Sequence, residues 1–432
     1  MATTRDADGR LVLGGIRLAE LFSSAQKTPA YVYDLDGIAA EAREIEAAFD
    51  GHPHLIAYAV KANSAGPIVR ALAKEGCGAD VVSGGELAVA IVCGIPPERI
   101  VYSGVAKKNE ELDQAISIGD RGIRAIQVES LEEIDRVHAR AREMGRVVRV
   151  SLRVNPAVEI DTLATHAHIA TGHDDAKFGI PRRDFDVAVT MVRGLKELTL
   201  VGLTSHVGSQ FTSADAYLQA SQFLFDRAKE LRASGVKLDY VDTGGGFGID
   251  YGDGCPLRPA DFVRKTRALQ HASGLDDLAL FVEPGRSLVA AHGVLVATVI
   301  QPKTARVVGE DEPSRRWLMI DAGMNDLIRP ALYQARHRIV SLDMQKDEAE
   351  LAWRVVGPVC ESSDDFGLHL LPKVPPHLLA ILDVGAYGFT MASQYNGRAL
   401  PTEIFLSAGA IIHVSPSSRV EDWVLSRVMK EL

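Results

Sequence analysis

The sequence predicts an α/β protein in which a (β/α)8 TIM-like barrel is followed by a C-terminal all-β domain. Its 432 residues exceed what one ordinary hydrophobic core accommodates. Between about residues 50 and 286, short apolar runs rich in β-branched residues alternate with helical stretches. After residue 286 the strand-like runs continue, but helical periodicity becomes scarce. Together these observations indicate two parts of different architecture.

The first part contains eight strand-like runs. They lie at residues 54–60, 78–83, 100–104, 125–130, 149–156, 200–206, 238–245 and 278–285. Several of the helical stretches between them end in Gly, a common helix C-cap. Alternation of strand and helix predicts a parallel sheet, and eight repeats favour a closed barrel over the competing doubly wound open sheet.

The second part reads as a smaller β domain, either a barrel or a sandwich. Its strand-like segments are "VLVATVIQP", "RWLMIDAG", "AWRVVGPVC", "LLAILDVGAYG" and "EIFLSAGAIIHV", separated by Gly, Pro and polar turns. The first thirty residues hold the strand-like piece "RLVLGG" and a short helix, and we expect them to join this β domain. The expected boundaries are therefore 1–30, 31–286 and 287–432.

Composition narrows the classes of function. Hydrophobic residues make up 47% of the chain and charged residues 24%, an ordinary globular balance. The formal net charge of -10 argues against a nucleic-acid partner, because binding phosphates requires a basic surface. Four widely spaced cysteines form no CxxC pair, which favours a reducing cytoplasm over a disulfide framework. We expect neither a signal peptide nor a membrane span.

Polar residues collect where the predicted barrel strands end, the place where barrel enzymes build their active sites. Lys61 ends the first strand within "YAVKAN". The other strands contribute Arg153, Asn155, His206, Gly208, Ser209, Gly244, Gly245, Gly246, Glu283, Gly285 and Arg286. If the barrel closes, these distant positions converge on one rim.

Each of these signals also has a simpler explanation. Lys61 can end a strand merely to reach water, and His206 can be an ordinary strand-end histidine. The run "GGGFG" can be a tight turn, although glycine N–H groups in the late loops of barrels commonly bind phosphate. It is not a Rossmann fingerprint, because Ile249 stands where the last Gly is required. "HVGSQ" is not a GxSxG nucleophile elbow.

The segment "THAHIATGH" raises the alternative of a metal site. It contains His166, His168 and His173, but no carboxylate or thiolate stands at a matching short spacing. We therefore expect a polar active-site loop there and no bound metal.

Taken together, the rim residues match the needs of one cofactor. A lysine amine can bind the aldehyde of pyridoxal phosphate covalently, and a glycine turn can hold its phosphate. Glu283 can pair with the pyridine nitrogen and keep it protonated, which strengthens the ring as an electron sink. His206 can cover the face of the ring.

Six motifs carry a family resemblance: "YAVKAN", "HVGSQ", "DTGGGFG", "EPGR", "CESSD" and "GAYG" occur in this order. The chain resembles the fold type III pyridoxal-phosphate-dependent decarboxylases, whose fold is alanine racemase-like, and most closely the diaminopimelate decarboxylases. The resemblance runs from "TPAYVYD" at 28–34 to "YNGRALP" at 395–401. It implies a homodimer whose contacts include the β domain.

The resemblance also implies roles for individual residues. Lys61 carries the cofactor, His206 stacks on its ring and Glu283 meets its nitrogen. The phosphate is held by Ser209, Gly244, Gly245, Gly246, Gly285, Arg286 and Tyr387. In the partner's active site, Cys360 of "CESSD" donates a proton and Glu361 contacts substrate. The resemblance also assigns substrate binding to four further residues, Arg286, Arg329, Tyr333 and Tyr387.

The implied reaction is decarboxylation of meso-2,6-diaminopimelate to L-lysine and carbon dioxide, the last step of lysine biosynthesis. Arg286 and Arg329 suit a carboxylate of this substrate, and Glu361 suits its distal ammonium. Ornithine decarboxylases typically show Cys-Asp in place of Cys360-Glu361, and alanine racemases place Arg at the ring nitrogen. Other substrates, namely ornithine, arginine or a carrier-bound glutamyl group, stay open, as does a non-catalytic cofactor-binding relative.

The sequence departs from the family pattern at two places. Ser363 stands where many members have Gly, and "YQARHRI" replaces the more usual "YGAYHHI". Arg336 and Arg338 add positive charge to this segment, and the sequence assigns neither of them a role.

Overall fold

The computed structural model describes residues 2–22, 26–156, 176–254, 257–306, 314–343 and 348–428. The chain divides into two compact units. We name residues 39–249 and 255–288 the barrel unit, and residues 1–38, 250–254 and 289–432 the β unit.

Four short strands precede the barrel. They are β1 (Thr4–Arg5), β2 (Leu11–Leu13), β3 (Ile16–Arg17) and β4 (Ala30–Asp34). The first three form a small antiparallel sheet, and the Leu11 N–H donates to the carbonyl of Leu342 at 2.8 Å. These N-terminal strands therefore pack within the β unit.

The prediction of a closed eight-stranded parallel barrel is confirmed, and the open-sheet alternative is wrong. The barrel strands are β5 (His54–Ala59), β6 (Gly78–Val81), β7 (Ile100–Tyr102), β8 (Ala125–Val128), β9 (Val148–Arg153), β10 (Leu198–Thr204), β11 (Tyr240–Gly245) and β12 (Ala279–Glu283). They pair in chain order, and β12 pairs with β5 to close the ring.

Helices alternate with these strands. In chain order the helices up to the end of the barrel are α1 (Leu18–Phe22), α2 (Leu35–Ala48), α3 (Gly66–Lys74), α4 (Gly84–Val92), α5 (Asn109–Ser117), α6 (Leu131–Glu143), α7 (Phe185–Gly194), α8 (Asp215–Ala233), α9 (Pro259–Ala272) and α10 (Arg286–Val289).

Seven of the eight barrel strands, all but β11, end one to three residues earlier than predicted. For β6 and β8 the reason is that a serine at the predicted end caps the next helix. The hydroxyl of Ser83 accepts the Glu86 N–H at 3.2 Å, and that of Ser130 accepts the Glu133 N–H at 3.1 Å. An N-cap residue of this kind satisfies a helix N–H group that would otherwise lack a partner, so it belongs to the helix start.

The barrel interior has an apolar layer followed by a polar layer. The apolar layer consists of Leu55, Ala57, Val101, Ala125, Val201, Tyr240 and Phe281. Side chains two residues apart on a strand share a face. Gln127, Asp242 and Glu283 follow Ala125, Tyr240 and Phe281 by two residues and are buried as well. The polar layer therefore lies toward the carboxyl ends of the strands.

The β unit is built on a nine-stranded sheet. Its remaining strands are β13 (Gly293–Ala305), β14 (Arg315–Ile320), β15 (Ile339–Ser341), β16 (Glu350–Val356), β17 (Asp365–Pro372), β18 (Leu378–Ile381), β19 (Thr402–Ser407) and β20 (Ala410–Ser415). Two further helices are α11 (Arg329–Tyr333) and α12 (Val420–Arg427). The predicted all-β character is confirmed.

The sheet runs in the order β17-β16-β14-β13-β4-β19-β20, with β18 pairing β13 and β15. Strand β4 is antiparallel to β13 and parallel to β19, so the N-terminal strand lies in the middle of the sheet. Val32, Val294 and Ile404, one from each of these strands, are fully buried in the core of this unit. The C-terminal sheet therefore needs a strand from the start of the chain.

In the described ranges, no helix combines the length and the apolarity that crossing a bilayer requires. In the same part of the chain, no group of three or more His, Cys, Asp or Glu side chains is arranged to hold a metal ion. His166, His168 and His173 lie outside the described residues.

Candidate active site

Lys61 lies at the mouth of the barrel and is paired with a carboxylate. Strand β5 ends at Ala59, and Lys61 follows in a short 3-10 turn, Val60–Ala62. Its Nζ atom is 2.6 Å from Oδ2 of Asp80, and the Asp80 side chain is completely buried. Burial raises the pKa of Asp80, while the Lys61 charge opposes that rise. Lys61 is thus an amine held in place at the strand end.

Glu283 ends β12 and is buried inside the barrel. Its Oε2 atom lies 3.6 Å from Nδ1 of His206, and its Oε1 atom accepts a hydrogen bond from Nε2 of Gln127 at 3.0 Å. Burial alone would raise the pKa of Glu283. The hydrogen bonding and charge of His206, with Lys61 and Gln127, outweigh burial and lower this pKa to about 2. Glu283 is therefore an ionised acid in a buried site.

The glycine turn at the end of β11, Gly244 to Gly246, requires glycine at each of its three positions. A Cβ on Gly244 would lie 2.4 Å from the Ser205 carbonyl oxygen, and one on Gly245 would lie 1.9 Å from that of Glu283. Gly246 has φ +89°, and its Cβ would come within 2.2 Å of the Gly208 oxygen. The turn therefore packs closely against the ends of the neighbouring strands and their loops, and its backbone lines the rim of the barrel.

Two further predicted residues meet beside this turn. Nη2 of Arg286 donates to the Ser209 hydroxyl at 3.1 Å, which joins the loop after β10 to the start of α10. Gly285 lies against the Lys61 turn, since an added Cβ would be 3.0 Å from Cβ of Ala59 and 3.1 Å from that of Ala62. The structure therefore brings the predicted lysine, acid, histidine, glycine turn, serine and arginine into one end of the barrel unit.

Two of the strand-end residues singled out from the sequence have structural partners. Nη1 of Arg153 pairs with Oε1 of Glu129 at 3.0 Å, and both side chains are buried. The Asn155 amide donates to the Phe178 carbonyl at 2.8 Å. Both contacts hold the barrel's own loops together.

In the β unit, Cys360 and Glu361 lie in a turn after β16 that is held from two sides. Buried Asp364 accepts the Val359 N–H and the Met324 N–H, each at 2.6 Å. The Cys360 N–H donates to Oδ1 of Asn396 at 3.0 Å, and the Tyr395 hydroxyl donates to Oε1 of Glu361 at 2.5 Å. Both the Cys360 and the Glu361 side chains remain exposed.

The loop that contacts this turn has a constrained backbone of its own. Asn396 adopts a left-handed conformation with φ 55°. A Cβ on Gly397 would lie 3.0 Å from the Trp423 ring of α12. A cleft of about 940 Å³ is lined by these residues together with Glu361. Glu361 therefore lines an open cleft within the β unit.

The remaining predicted substrate residues also lie in the β unit. Arg329 is buried at the start of α11, where its Nη1 atom donates to the Tyr251 hydroxyl at 3.0 Å and to Nε2 of His337 at 2.9 Å. Tyr333 ends the same helix and is half-buried. Tyr387 is half-buried and has a positive φ of 55°, an uncommon backbone conformation for a tyrosine.

The two extra arginines of "YQARHRI" differ in surroundings. Nη2 of Arg338 lies 2.6 Å from Oδ2 of Asp383, so this arginine forms an ion pair within the β unit. Arg336 is exposed. Arg338 therefore contributes to the packing of the segment.

The sequence did not single out three buried residues that support the site, namely Asp80, Gln127 and Asp242. Asp80 contacts Lys61, Gln127 contacts Glu283, and Asp242 contacts Gln127. Nε2 of Gln127 donates to Oδ2 of Asp242 at 3.1 Å as well as to Glu283. One signal was present in the sequence, because each of these polar residues falls on the inward-facing side of a predicted buried strand. A buried polar position of this kind needs a partner.

Comparisons with known proteins identify the family of the chain. Residues 35–290 match the family described as pyridoxal-dependent decarboxylase, pyridoxal binding domain. The diaminopimelate decarboxylase of Zymomonas mobilis is 38% identical over 422 residues, which cover 96% of both chains. The chain superposes on the Helicobacter pylori diaminopimelate decarboxylase complexed with L-lysine with a TM-score of 0.86 at 37% identity, covering 94% of this chain and 98% of that one.

A second solved structure gives the same result. The diaminopimelate decarboxylase of M. jannaschii has a TM-score of 0.89 at 34% identity, covering 100% of this chain and 98% of that one.

The residues of the barrel end fit pyridoxal phosphate by their chemistry. Lys61 has an amine that could bind the aldehyde, Glu283 an ionised acid that could meet the pyridine nitrogen, and the glycine turn with Ser209 has backbone and hydroxyl groups that could hold the phosphate. By sequence and fold, the chain is a pyridoxal-phosphate-dependent decarboxylase. It belongs to the diaminopimelate decarboxylase family.

Proposed function

We propose that this chain decarboxylates meso-2,6-diaminopimelate to L-lysine and carbon dioxide, the last step of lysine biosynthesis. The observation that carries this proposal is similarity at 36–38% identity over most of the chain to relatives named diaminopimelate decarboxylase. The solved relative from Helicobacter pylori, which is complexed with L-lysine, supports the product.

In the barrel unit, Lys61 would hold the cofactor and Glu283 would keep the proton on its pyridine nitrogen. When bound, pyridoxal phosphate supplies an electron sink for the carbanion that loss of carbon dioxide leaves on the substrate. The low pKa of Glu283 suits its role, because an ionised carboxylate attracts a protonated ring nitrogen. His206 would cover the ring, while Ser209, Gly244, Gly245, Gly246, Gly285, Arg286 and Tyr387 would bind the phosphate.

The β unit would supply the groups that recognise and protonate the substrate. The Cys360 thiol would deliver a proton to the substrate carbon after carbon dioxide leaves. Glu361 would accept the distal ammonium, and its hydrogen bond from Tyr395 fixes the direction of its carboxylate. Arg329 with Tyr333, together with Arg286 and Tyr387, would bind carboxylate groups.

We further propose that the working enzyme is a homodimer in which Cys360 and Glu361 serve the partner's barrel. Residues 287–432 would carry contacts between the two copies, and residues 31–286 would bind the cofactor. Free Cys77 and Cys93, both buried, and free, exposed Cys360 suit the reducing cytoplasm in which we expect the enzyme.

The direct test is a product assay on purified protein loaded with pyridoxal phosphate. The substrates are meso-diaminopimelate, L-ornithine and L-arginine, and the readouts are carbon dioxide release and L-lysine by chromatography. We expect turnover of diaminopimelate far above that of the other two. Lys61→Ala should abolish turnover, whereas Lys196→Ala, whose side chain is 90% exposed, should not change it. Preferred turnover of ornithine or arginine would refute the proposed substrate.

A further inference from the structure

Asp242 is a buried carboxyl group that the proposed chemistry does not use. It lies on β11, two residues before Gly244, and its exposed fraction is 0%. Asp80 and Glu283 are two further buried carboxyl groups of the same barrel, with exposed fractions of 0% and 5%. Burying several carboxylates together is costly unless each is paired or protonated.

The contacts of Asp242 connect two parts of the site. Its Oδ1 atom accepts the Gly244 N–H at 2.9 Å, which ties it to the glycine turn. Its Oδ2 atom accepts Nε2 of Gln127 at 3.1 Å, and the same nitrogen donates to Oε1 of Glu283 at 3.0 Å. The Gln127 amide therefore stands between the two carboxyl groups and bonds to both.

The Gln127 amide brings the carboxyl groups of Asp242 and Glu283 close together inside the barrel, because one nitrogen bonds to both. Two ionised carboxylates that share a buried site repel each other strongly, so we expect one of the two to carry a proton. The surrounding charges decide which residue keeps it.

The surrounding charges assign this proton to Asp242. His206 lies 3.6 Å from Glu283, and Lys61 adds a second favourable charge to the same carboxylate. Asp242 instead experiences the negative charge of Glu283 and, to a lesser extent, that of Asp80, which is paired with Lys61. Burial first and then Glu283 hold the pKa of Asp242 well above its ordinary value, whereas the pKa of Glu283 is lowered to about 2.

We propose that Asp242 is a positioning residue that stays protonated at neutral pH and, together with Gln127, holds Glu283 ionised and aimed at the pyridine nitrogen of the cofactor. The inference rests on the proposed role of Glu283 as partner of that nitrogen. It gives the aspartate of "DTGGGFG" a function that its position before the glycines does not reveal.

The first test is an infrared difference spectrum of the holoenzyme, wild type minus Asp242→Asn. It is recorded at neutral pH, where the bands of the buried acids Asp326 and Glu403, whose pKa values are about 7, cancel because both proteins contain them. We expect a carbonyl stretch of a protonated carboxyl group in the wild type that Asp242→Asn lacks. A difference spectrum with carboxylate bands alone would overturn the proposal.

The second test reads the ring nitrogen itself, with ¹⁵N-labelled pyridoxal phosphate and nuclear magnetic resonance. Asp242→Asn keeps a neutral donor toward Glu283, so the nitrogen should stay protonated and cofactor affinity should fall by less than about tenfold, the effect of one lost hydrogen bond. Asp242→Leu and Gln127→Leu should shift the nitrogen toward its unprotonated form, as should Glu283→Gln. If the ring nitrogen were unprotonated in Asp242→Asn, Asp242 would act as an anion and the proposal would be wrong.

These readouts separate the inference from the proposed function. If the infrared band and the protonated nitrogen were found but diaminopimelate were not decarboxylated, the role of Asp242 would stand and the proposed substrate would fall. If Asp242→Leu did not fold, the infrared comparison with Asp242→Asn would still decide the protonation state.

Discussion

The Nζ atom of Lys61 lies 2.6 Å from the Oδ2 atom of Asp80, a carboxylate with no exposed surface. The lysine side chain is 36% exposed, so the pair has one buried and one accessible partner. Asp80 also accepts a hydrogen bond from the Ser103 hydroxyl. The amine at the end of the first barrel strand is therefore anchored from inside the barrel while its other side stays open.

This pairing predicts a stability coupling between the two residues. Lys61→Ala leaves the buried Asp80 carboxylate without its cation. In an Asp80→Asn background, the same substitution leaves no unpaired buried charge. We expect the double mutant to be more stable than the two single effects predict, by about 1–3 kcal/mol. The measurement is the free energy of unfolding of the cofactor-free protein in urea. Strictly additive effects would show that the pair contributes nothing.

The hydrogen bond from Tyr395 to Glu361 predicts a specificity effect. Tyr395→Phe removes the donor that orients this carboxylate. Because Tyr395 is 46% exposed, we expect a modest loss of about 1 kcal/mol, seen as a several-fold rise in KM for diaminopimelate with a smaller change in kcat. In a Glu361→Gln background the same substitution should have little further effect. An equal rise in KM in that background would mean that Tyr395 acts independently of Glu361.

The proposed sharing of active sites predicts complementation. Lys61→Ala and Cys360→Ala are each expected to be inactive, but a mixed dimer would contain one site with both residues intact. After dissociation and random reassociation, activity should recover to at most about a quarter of wild type, given two-fold symmetry.

The matched control for this experiment mixes Lys61→Ala with Glu283→Gln. Both residues lie in the same barrel unit, so no dimer combination restores a complete barrel site. If both mixtures failed to recover activity although heterodimers were shown to form, Cys360 would not serve the partner's site.

Glu403 predicts a pH effect on stability. It is buried on β19, where burial raises its pKa to about 7 although the Tyr33 hydroxyl donates to it at 3.0 Å. An unfolded glutamate has a pKa of about 4.3, so between these values the folded chain binds the extra proton and stability falls as pH rises.

The expected slope from this one group is about 1.4 kcal/mol per pH unit within that window, levelling off above the folded pKa. Glu403→Gln should remove this contribution in urea unfolding measured from acid to neutral pH. An identical pH profile for the two proteins would contradict the assignment.

The barrel was predictable because its signal is local and repeated. Every barrel strand shows a short apolar run, and the residues that end these runs, such as Lys61 and Glu283, point to the rim. The edge strand β17 was not predicted. Its solvent-facing positions include Leu368 and Leu370, which are 62% and 67% exposed, so the strand lacks the polar face that an edge strand usually shows. Apolar residues on both faces obscure the alternation that identifies a strand.

The partners within the site were not predictable, because they are joined only by the fold. Asp80 lies 19 residues from Lys61, and Gln127 lies 156 residues from Glu283. Their spacing carries no periodic signal. A polar residue on the inward side of a buried strand indicates that a partner is needed, but not which residue supplies it.

We propose that Lys61 is the residue that carries pyridoxal phosphate in this decarboxylase. The most direct measurement is borohydride reduction of the cofactor-loaded protein, followed by proteolysis and mass spectrometry of the modified peptide. We expect one reduced cofactor group, located on Lys61, which is absent from Lys61→Ala but present in the surface control Lys196→Ala. A cofactor group on another lysine, or none in the active wild-type protein, would contradict the assignment of Lys61.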